Sequence, residues 1–252
     1  MNKSIQMTFK RIESKYIIPT TILEDLQKDL MAFLIEDDFP TSTITNVYFD
    51  TPDFQVIRDS IAKRHRREKI RMRTYSLLDC HDGPAFLEIK SKDSQGIGHK
   101  NRLLADPKQI LQLIQKGPAK DNQHQEQIIS DVNELRKRYP DLKPRIFIYY
   151  NRLSLKNRKT GNNHAKDKVR ITIDHNLIYR DFSVTDLDNK DGYPLLEEGY
   201  AIMEVKSGIH KPDWLVALLE QYGIQESSFS KYGTAYRKYC ERLIKQKEES
   251  HA

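Results

Sequence analysis

The sequence predicts an α+β protein that combines amphipathic antiparallel strands with amphipathic helices. The first observation is the stretch 69–75, where charged and apolar residues alternate, so that a strand would place Lys69, Arg71 and Arg73 on one face. The second is the segment 86–92, which repeats the alternation; turn residues separate the two segments, and together they predict an antiparallel hairpin. The third is a set of apolar stripes at helical spacing, which predicts helices that cover one side of a sheet.

The basic face of this hairpin has two interpretations. On a single amphipathic hairpin, such a face is usually a solvated outer surface. The same alternation recurs in segments that lie far apart in the chain, and this repetition favours a shared role for the basic faces. The recurring segments are Arg11–Lys15, Val169–Asp174 and Met203–Lys206.

Composition indicates a globular protein with anionic partners. The chain has 252 residues, a formal net charge of +6 and a pI near 9.1, which favours acidic partners. Hydrophobic residues make up 38%, which is enough for a core. The sequence has no run of about eighteen apolar residues and no apolar signal-peptide core, so we expect a cytoplasmic protein. Cys80 and Cys240 have no metal-binding spacing and predict no disulfide framework.

The first part of the chain predicts a helix between strands. Residues 19–24 have the pattern of a capping box, and residues 22–34 carry an apolar stripe at helical spacing. Residues 43–50 are rich in Thr, Val, Tyr and Phe, which is typical of a strand. Residues 54–62 are interpreted as a short connector.

Two covering helices are predicted in the middle of the chain. Asp106 and Pro107 form an N-cap and a first turn, and the helix that they open ends at Gly117. A second apolar stripe, over residues 128–139, ends at Pro140. Both stripes predict helices that pack on an apolar surface.

The remaining strands are predicted from short alternating segments. Residues 145–155, 169–174 and 201–206 alternate with a period of two, and residues 176–181 are a candidate short strand. Residues 183–199 are interpreted as a polar excursion.

The C-terminal region predicts two helices, over residues 214–222 and 232–243. Ser230 is placed to cap the second helix, and Lys231 begins its first turn. This helix start is a candidate anion site, because free backbone amides and the helix dipole both favour negative charge. The alternative is that Ser230 is only a helix cap. Residues 246–252 are predicted to form a charged tail.

Two other signals for nucleotide or nucleic-acid binding are weak. The basic cluster 63–67 lacks the interleaved aromatic residues, zinc spacing and recognition helix of nucleic-acid-binding proteins, so nucleic acid is not expected as the main partner. The glycines within residues 95–100 fit neither a dinucleotide fingerprint nor a P-loop, and this segment is interpreted as a flexible basic loop.

A set of motifs, ordered along residues 7–240, resembles the VTC domain. This domain is the polyphosphate polymerase module of the vacuolar transporter chaperone complex and its bacterial relatives, within the triphosphate tunnel metalloenzymes of the CYTH superfamily. The resemblance indicates a bacterial member. The motifs are Arg11-x-Glu13-x-Lys15-Tyr16, Tyr48-Phe49-Asp50-Thr51, Lys69-x-Arg71-x-Arg73-x-Tyr75, Glu88-x-Lys90, Tyr150-Asn151-Arg152, Val169-Arg170-Ile171, Met203-Glu204-Val205-Lys206 and Ser230-Lys231-Tyr232.

The resemblance implies a single domain over residues 1–245, followed by the tail at 246–252. Its fold would be an eight-stranded antiparallel β-barrel with a hydrophilic basic lumen, flanked by amphipathic α-helices. The charged strand faces would point into the lumen, and the apolar faces would point outward and be covered by the helices. This inversion accounts for the number of amphipathic helices in the sequence.

The resemblance also implies roles for individual residues. The implied catalytic residues are Arg71, Arg73, Lys90, Arg152, Arg170 and Lys231. The implied substrate-binding residues are Lys15, Lys69, Lys92, Tyr150, Lys206 and Ser230. The implied metal ligands, for Mn²⁺ or Mg²⁺, are Glu204, Glu13 and Glu88. For Glu13 and Glu88, the alternative role is to pair with neighbouring lysines.

The implied activity is transfer of the γ-phosphoryl group of ATP to a growing polyphosphate chain. Lys and Arg side chains on several strands could hold ATP, triphosphate or polyphosphate through charge-assisted hydrogen bonds. Hydrolase branches of the superfamily begin with two alternating glutamates, whereas Arg11 takes the first of these places here, which favours transfer over hydrolysis. The alternatives are a triphosphatase and a non-catalytic polyphosphate-binding module. A membrane-protein partner would not be visible in this sequence.

Overall fold

The structure is a computed structural model that describes residues 12–64, 67–76, 83–92, 98–118, 126–158 and 169–250. The strands are β1 (Ile12–Pro19), β2 (Leu34–Asp50), β3 (Arg67–Ser76), β4 (Ala85–Lys92), β5 (Gly98–Ala105), β6 (Lys143–Asn157), β7 (Arg170–Arg180), β8 (Tyr193–Pro194) and β9 (Tyr200–Ser207). The helices are α1 (Leu23–Phe33), α2 (Gln55–Ile61), α3 (Pro107–Lys116), α4 (Glu126–Arg138), α5 (Asp213–Gln221) and α6 (Lys231–Glu249). No helix in these ranges is long and apolar enough to cross a membrane.

The strands form one sheet, which confirms an α+β fold built on antiparallel pairing. The strand order is β1-β9-β7-β6-β2-β3-β4-β5, and β8 pairs with β7 outside this path. The pairs β1–β9, β2–β3, β3–β4, β4–β5, β7–β8 and β7–β9 are antiparallel. Over the described residues the path is open, with β1 and β5 as its end strands, so closure into an eight-stranded barrel stays a prediction.

The chain forms two compact units, and each has its own core. The first unit contains the described parts of Met1–Ser42, Asn151–Asn176 and Leu196–Phe229. Its core residues come from β1, β7 and β9 and from the apolar sides of α1 and α5, so these two helices cover the apolar strand faces. The main members are Ile18, Leu26, Leu30, Ile171, Ile173, Met203, Val205, Leu215 and Leu218.

The second unit contains the described parts of Thr43–Tyr150, Leu177–Leu195 and Ser230–Ala252. Here α3 and α4 cover the apolar face of the β3–β4–β5 meander, and burial of each large aliphatic side chain stabilises the fold by about 1.5–3 kcal/mol. Because neighbouring residues of a strand point to opposite faces, the charged side chains of Lys69, Arg71 and Glu88 lie on the other side of the sheet, whereas Glu68 lies on the helix side and pairs with Arg138 of α4. The main core residues are Ile70, Met72, Leu87, Ile89, Leu103, Ile110, Ile114, Val132 and Leu135.

Two predicted helix caps are confirmed. The Asp106 carboxylate accepts a hydrogen bond from the backbone amide of Lys108 at 2.8 Å, and the Asp106 amide donates to the Gln109 side chain in return. Ser230 is the N-cap of α6, and its hydroxyl oxygen accepts from the amide of Gly233 at 3.2 Å. Both caps satisfy amides that a helix start otherwise leaves without partners.

The capping box predicted at residues 19–24 is wrong. A 3-10 turn over Thr20–Ile22 precedes α1, and no side chain caps either element. The amide of Leu23 bonds to the carbonyl of Thr20, so the backbone itself provides the partner that a side-chain cap would supply.

The predicted connector at 54–62 is also wrong, because it contains α2. The Asp50 carboxylate accepts hydrogen bonds from the amides of Val56 and Ile57 at 2.8 and 3.0 Å. The hydroxyl oxygen of Thr51 accepts from the amide of Gln55 at 2.8 Å. The helix start is therefore capped by residues four to seven positions away, which a local capping motif does not reveal.

Other boundaries differ from the predictions. The strand expected at 176–181 is the continuation of β7, and the polar excursion 183–199 contains the short strand β8. The loop expected at 95–100 gives way to β5 from Gly98. Helix α6 continues to Glu249, which places part of the predicted tail in a helix.

Some predicted features lie outside the described residues. These are Arg11, residues 65–66 of the basic cluster, residues 80–82 of the hairpin turn and residues 95–97 of the glycine-containing loop.

Candidate functional site

The second unit contains a continuous surface of charged side chains on β3, β4 and β5, which we call the basic face. Strand register aligns Arg71 with Glu88 and Glu88 with Arg102, and it aligns Lys69 with Lys90. Because these strands are antiparallel neighbours, aligned residues have their side chains on the same side of the sheet. The members of the basic face are Lys69, Arg71, Arg73, Glu88, Lys90, Lys100 and Arg102.

Glu88 is the carboxylate at the centre of the basic face, and it is fully buried. One of its oxygens accepts from Arg71 Nε and Nη2 at 2.9 and 2.5 Å. The other accepts from Arg102 Nε and Nη2 at 2.9 and 2.5 Å and lies 2.7 Å from Lys100 Nζ. Burial alone would raise the pKa of Glu88, but the charges of Arg71, Arg73 and Lys100 hold it well below its usual range. This arrangement fits the alternative role of Glu88, as a counter-ion, better than that of a metal ligand.

Lys100 and Arg102 are members of the site that sequence reasoning missed. The glycines before them favoured a flexible loop, whereas both residues lie on β5. A signal was present, because Lys100 and Arg102 alternate with Asn101 and Leu103 in the same period as the neighbouring strands.

Arg73 is the most enclosed cation of the basic face, at 7% exposure. Its guanidinium donates to Asn46 Oδ1 at 2.7 Å, to Tyr150 Oη at 3.0 Å and to Tyr75 Oη at 3.2 Å. All three acceptors are neutral, and no carboxylate among the described residues forms an ion pair with Arg73. A buried cation with only neutral partners is costly unless an anion joins it.

The start of α6 lies against these residues within the second unit. Lys69 Nζ donates to Ser230 Oγ at 3.0 Å. Lys231 Nζ lies 4.8 Å from the centre of the Tyr150 ring, so one tyrosine contacts Lys231 through its face and Arg73 through its hydroxyl. The structure therefore brings together five of the predicted site residues. They are Lys69, Arg73, Tyr150, Ser230 and Lys231.

Tyr48 is a third residue that sequence reasoning left without a role. Its phenol oxygen accepts from Arg71 Nη1 at 3.2 Å, and its ring stacks on Tyr232 with centroids 4.3 Å apart. Burial would raise the pKa of Tyr48, but the positive charges of Arg71, Arg73 and Lys69 lower it to about 8.

The predicted lysines Lys90 and Lys92 differ in exposure. Lys90 is half-buried on the basic face, whereas Lys92 is exposed at the end of β4.

The first unit contains a separate cluster of alternating charges on β1 and β9. The register places Glu13 opposite Lys206 and Lys15 opposite Glu204. Lys206 Nζ lies 3.3 Å from Glu204 Oε1 and 3.7 Å from Glu13 Oε2, and Lys15 Nζ lies 3.3 Å from Glu13 Oε1. Four predicted site residues therefore form a charge-balanced group, which we call the β1–β9 cluster.

Two predicted arginines of the first unit pair with carboxylates. Arg152 donates Nε and Nη2 to the two oxygens of the buried Asp174, at 2.6 and 2.8 Å. Arg170 Nε lies 2.7 Å from Asp37 Oδ2, and the Arg170 side chain is 53% exposed. Both arginines form ion pairs with carboxylates, whereas Arg73 forms none with the carboxylates of the described residues.

The fit of a metal ion depends on the carboxylates of the β1–β9 cluster. The described ranges contain no group of three or more His, Cys, Asp and Glu residues that could hold a metal. Glu13 and Glu204 nevertheless both contact the ammonium of Lys206, so two carboxylates already converge on one cation. One or two carboxylates with phosphate oxygens are a ligand set that Mg²⁺ accepts, and Glu13 and Glu204 fit that set.

Comparison with solved structures relates the chain to the triphosphate tunnel fold. A candidate adenylyl cyclase from Hippeastrum, described as having a dominant triphosphatase activity, is 15% identical, with 91% of this chain and 96% of that chain covered and a TM-score of 0.51. A candidate adenylate cyclase from Bacillus halodurans is 12% identical, with 87% and 93% covered and a TM-score of 0.49. At such identities the likeness concerns the fold.

Comparison with curated proteins gives no match. The family model of the VTC domain matches residues 10–240, which is most of the chain. The match includes both the basic face and the β1–β9 cluster. The chain belongs to the VTC domain family.

Proposed function

We propose that the protein is a polyphosphate polymerase, which transfers the γ-phosphoryl group of ATP to the end of a polyphosphate chain. Membership of the VTC domain family supports a phosphate-handling activity. The observation that carries the proposal is Arg73, a buried guanidinium whose described hydrogen-bond partners are all neutral. It lies on a face where Glu88 already neutralises Arg71, Lys100 and Arg102.

A phosphate oxygen is the partner that this environment favours. Arg73 and Lys231 both contact Tyr150, so a phosphate near this ring would meet two cations and the positive end of the α6 helix dipole. Charge-assisted hydrogen bonds from arginine to phosphate are about twice as strong as neutral ones. An anionic polymer would therefore place a negatively charged acceptor in direct contact with Arg73.

The proposed reaction needs no nucleophilic side chain. An oxygen of the terminal phosphate attacks the γ-phosphorus of ATP, a new P–O–P bond forms, the bond to the β–γ bridging oxygen breaks, and ADP leaves with that oxygen. Positioning and neutralisation of the phosphate charges dominate such a transfer, and Arg71, Arg73 and Lys231 are the proposed groups for both tasks.

Mn²⁺ or Mg²⁺ is the proposed cofactor. Glu204 and Glu13 would hold it, in place of their shared contact with Lys206. When bound, the ion supplies positive charge to phosphate oxygens.

A triphosphatase is the second candidate. The observation that favours it is the triphosphatase activity described for the Hippeastrum protein, whose structure this chain resembles. Water would then take the place of the terminal phosphate as acceptor, with the same residues binding the triphosphate.

One experiment separates these functions. Purified protein is incubated with ATP and Mn²⁺, and the products are resolved by chain length and by released orthophosphate. We expect long chains from the wild type, and at least about a hundredfold lower synthesis from Arg71→Ala and Arg73→Ala. Arg64→Ala is the matched control, because Arg64 is exposed and lies outside the basic face.

The other outcomes each contradict the proposal. Orthophosphate without chains indicates the triphosphatase. Binding of triphosphate without either product indicates a binding module. Unchanged synthesis in Arg73→Ala would show that Arg73 does not take part in the reaction, and it would contradict the proposal.

A further inference from the structure

Tyr48 is held rigidly beside the basic face. The side chain is buried at 4% exposure, and its ring is stacked on Tyr232 with an angle of 11° between the ring planes. Its phenol oxygen accepts a hydrogen bond from Arg71 Nη1 at 3.2 Å. The position of the Tyr48 oxygen is therefore fixed from one side by the stack and from the other by the guanidinium.

The stack is anchored by the buried carboxylate of Asp50. Tyr232 donates its hydroxyl to Asp50 Oδ2 at 2.7 Å. Asp50 also accepts the amides of Thr51, Val56 and Ile57. The Asp50 carboxylate thus already accepts hydrogen bonds from other donors. The hydroxyl proton of Tyr232 is directed towards Asp50.

The proton of the Tyr48 hydroxyl has no acceptor among the described residues. The charged groups that face Tyr48 from β3 are Lys69, Arg71 and Arg73, and protonated lysine and arginine only donate. From α6, Tyr232 directs its own proton to Asp50. Further away, Glu88 of β4 forms ion pairs with Arg71, Lys100 and Arg102. The hydroxyl oxygen of Tyr150 of β6 accepts a hydrogen bond from Arg73.

A buried hydroxyl that accepts from arginine and still has a proton to donate suits an anionic acceptor. A phosphate oxygen bound by Arg71 would receive both an N–H from the guanidinium and the O–H of Tyr48. Such an acceptor also offsets the excess of positive charge around Tyr48.

We propose that Tyr48 is a further phosphate-binding residue, which donates its hydroxyl proton to a phosphate oxygen held by Arg71 and which loses this ability when it ionises. The inference rests on the proposed function, because it concerns the same anionic substrate. It adds a specific contact and a pH response to that site.

The electrostatic surroundings support the pH response. Burial opposes ionisation of Tyr48, but Arg71, Arg73 and Lys69 outweigh it and lower the pKa to about 8. Below that pH the neutral phenol donates to phosphate. Above it the phenolate cannot donate, and its negative charge repels the ligand. By linkage, bound phosphate raises the pKa of Tyr48, so binding near this pH is accompanied by proton uptake.

The test measures binding of inorganic triphosphate by calorimetry, without metal, from neutral pH to about pH 10, the ordinary pKa of tyrosine. The proteins are the wild type, Tyr48→Phe and Tyr179→Phe. Phenylalanine preserves the ring stack of Tyr48 and removes only the hydroxyl. Tyr179 is the matched control, because it is also buried and has an arginine neighbour, Arg242, but its pKa is raised.

We expect Tyr48→Phe to bind triphosphate about fivefold more weakly than the wild type at neutral pH, which corresponds to one hydrogen bond. This difference should disappear or reverse as the pH rises through about 8. Protonation of triphosphate itself affects all three proteins equally, so the difference between variants isolates Tyr48. A difference in affinity between the wild type and Tyr48→Phe that stays constant over the whole pH range overturns the inference. An equally large loss of affinity in Tyr179→Phe also overturns it.

A spectroscopic measurement on the wild type makes the test independent of how well the variant folds. Ultraviolet absorbance of tyrosinate should show an ionisation near pH 8 that triphosphate shifts upward. Absence of this shift in a protein that binds triphosphate overturns the inference alone. Absence of triphosphate binding by the wild type at every pH instead overturns the proposed function on which it rests.

Discussion

Arg71 donates two hydrogen bonds to one oxygen of Glu88, from Nε at 2.9 Å and from Nη2 at 2.5 Å. The other oxygen of this fully buried carboxylate accepts a hydrogen bond from Arg102 and forms an ion pair with Lys100. One negative charge thus orients three cations of the basic face. The same three cations would repel one another if Glu88 were neutral, which leads to the first prediction.

Replacing Glu88 by Gln should destabilise the protein by about 3 kcal/mol, because it leaves buried cations without their counter-ion. Urea unfolding at neutral pH measures the effect. Glu134→Gln is the control, since Glu134 forms an exposed pair with Lys137 on α4 and should change stability by less than about 1 kcal/mol. Equal losses in the two variants would show that Glu88 does not have this role.

The Glu88 contribution should depend on pH. The folded protein holds the pKa of Glu88 below its value in the unfolded chain, which is about 4.3. The stabilisation is therefore complete above that value and is lost as the pH falls through the folded pKa. The free energies of unfolding of the wild type and Glu88→Gln, measured in urea, should differ by a constant amount near neutral pH. This difference should shrink in acid. A difference that grows in acid contradicts the assignment.

Much of the fold was predictable because it rests on local patterns. Alternation placed Lys69, Arg71 and Arg73 of β3 on one face, and apolar stripes at helical spacing identified α3 and α4 as covers. The caps at Asp106 and Ser230 follow from residue type and position alone. Each of these features needs only neighbouring residues to be recognised.

The features that were missed depend on contacts between distant residues. Helix α2 begins where the Asp50 carboxylate accepts the amides of Val56 and Ile57, which a local capping motif does not contain. Sequence reasoning could list Arg73 among the basic residues, but its burial among neutral partners depends on Asn46 and Tyr150 of other strands. The individual roles within the site therefore required the structure.

Arg73→Met should separate stability from binding. The substitution removes a buried cation that has no carboxylate partner among the described residues, so the free energy of unfolding should change by no more than about 1 kcal/mol. Triphosphate binding should weaken at least tenfold, or by about 1.5–3 kcal/mol for a hydrogen bond to a charged group. Calorimetry and urea unfolding of the same samples test both statements. Loss of stability with intact binding would reverse the assignment of Arg73.

Metal binding should depend on the β1–β9 cluster. Glu204→Gln removes one of the two carboxylates that contact Lys206, so Mn²⁺ affinity in the presence of triphosphate should fall at least about tenfold. Titration of free Mn²⁺ by electron paramagnetic resonance measures this without relying on turnover. Glu226→Gln is the control, because Glu226 pairs with Lys211 elsewhere in the same unit. Unchanged Mn²⁺ affinity in Glu204→Gln would exclude Glu204 as a ligand.

Asp50→Asn should destabilise the second unit by about 2–3 kcal/mol. The Asp50 carboxylate accepts three backbone amides and the hydroxyl of Tyr232, and an asparagine would turn an NH₂ group towards donors. Urea unfolding compares it with Asp53→Asn, whose carboxylate is exposed. Because Tyr232 also supports the ring of Tyr48, triphosphate binding by the folded Asp50→Asn variant should weaken and lose part of its pH dependence. A variant as stable as Asp53→Asn would show that Asp50 does not anchor the stack.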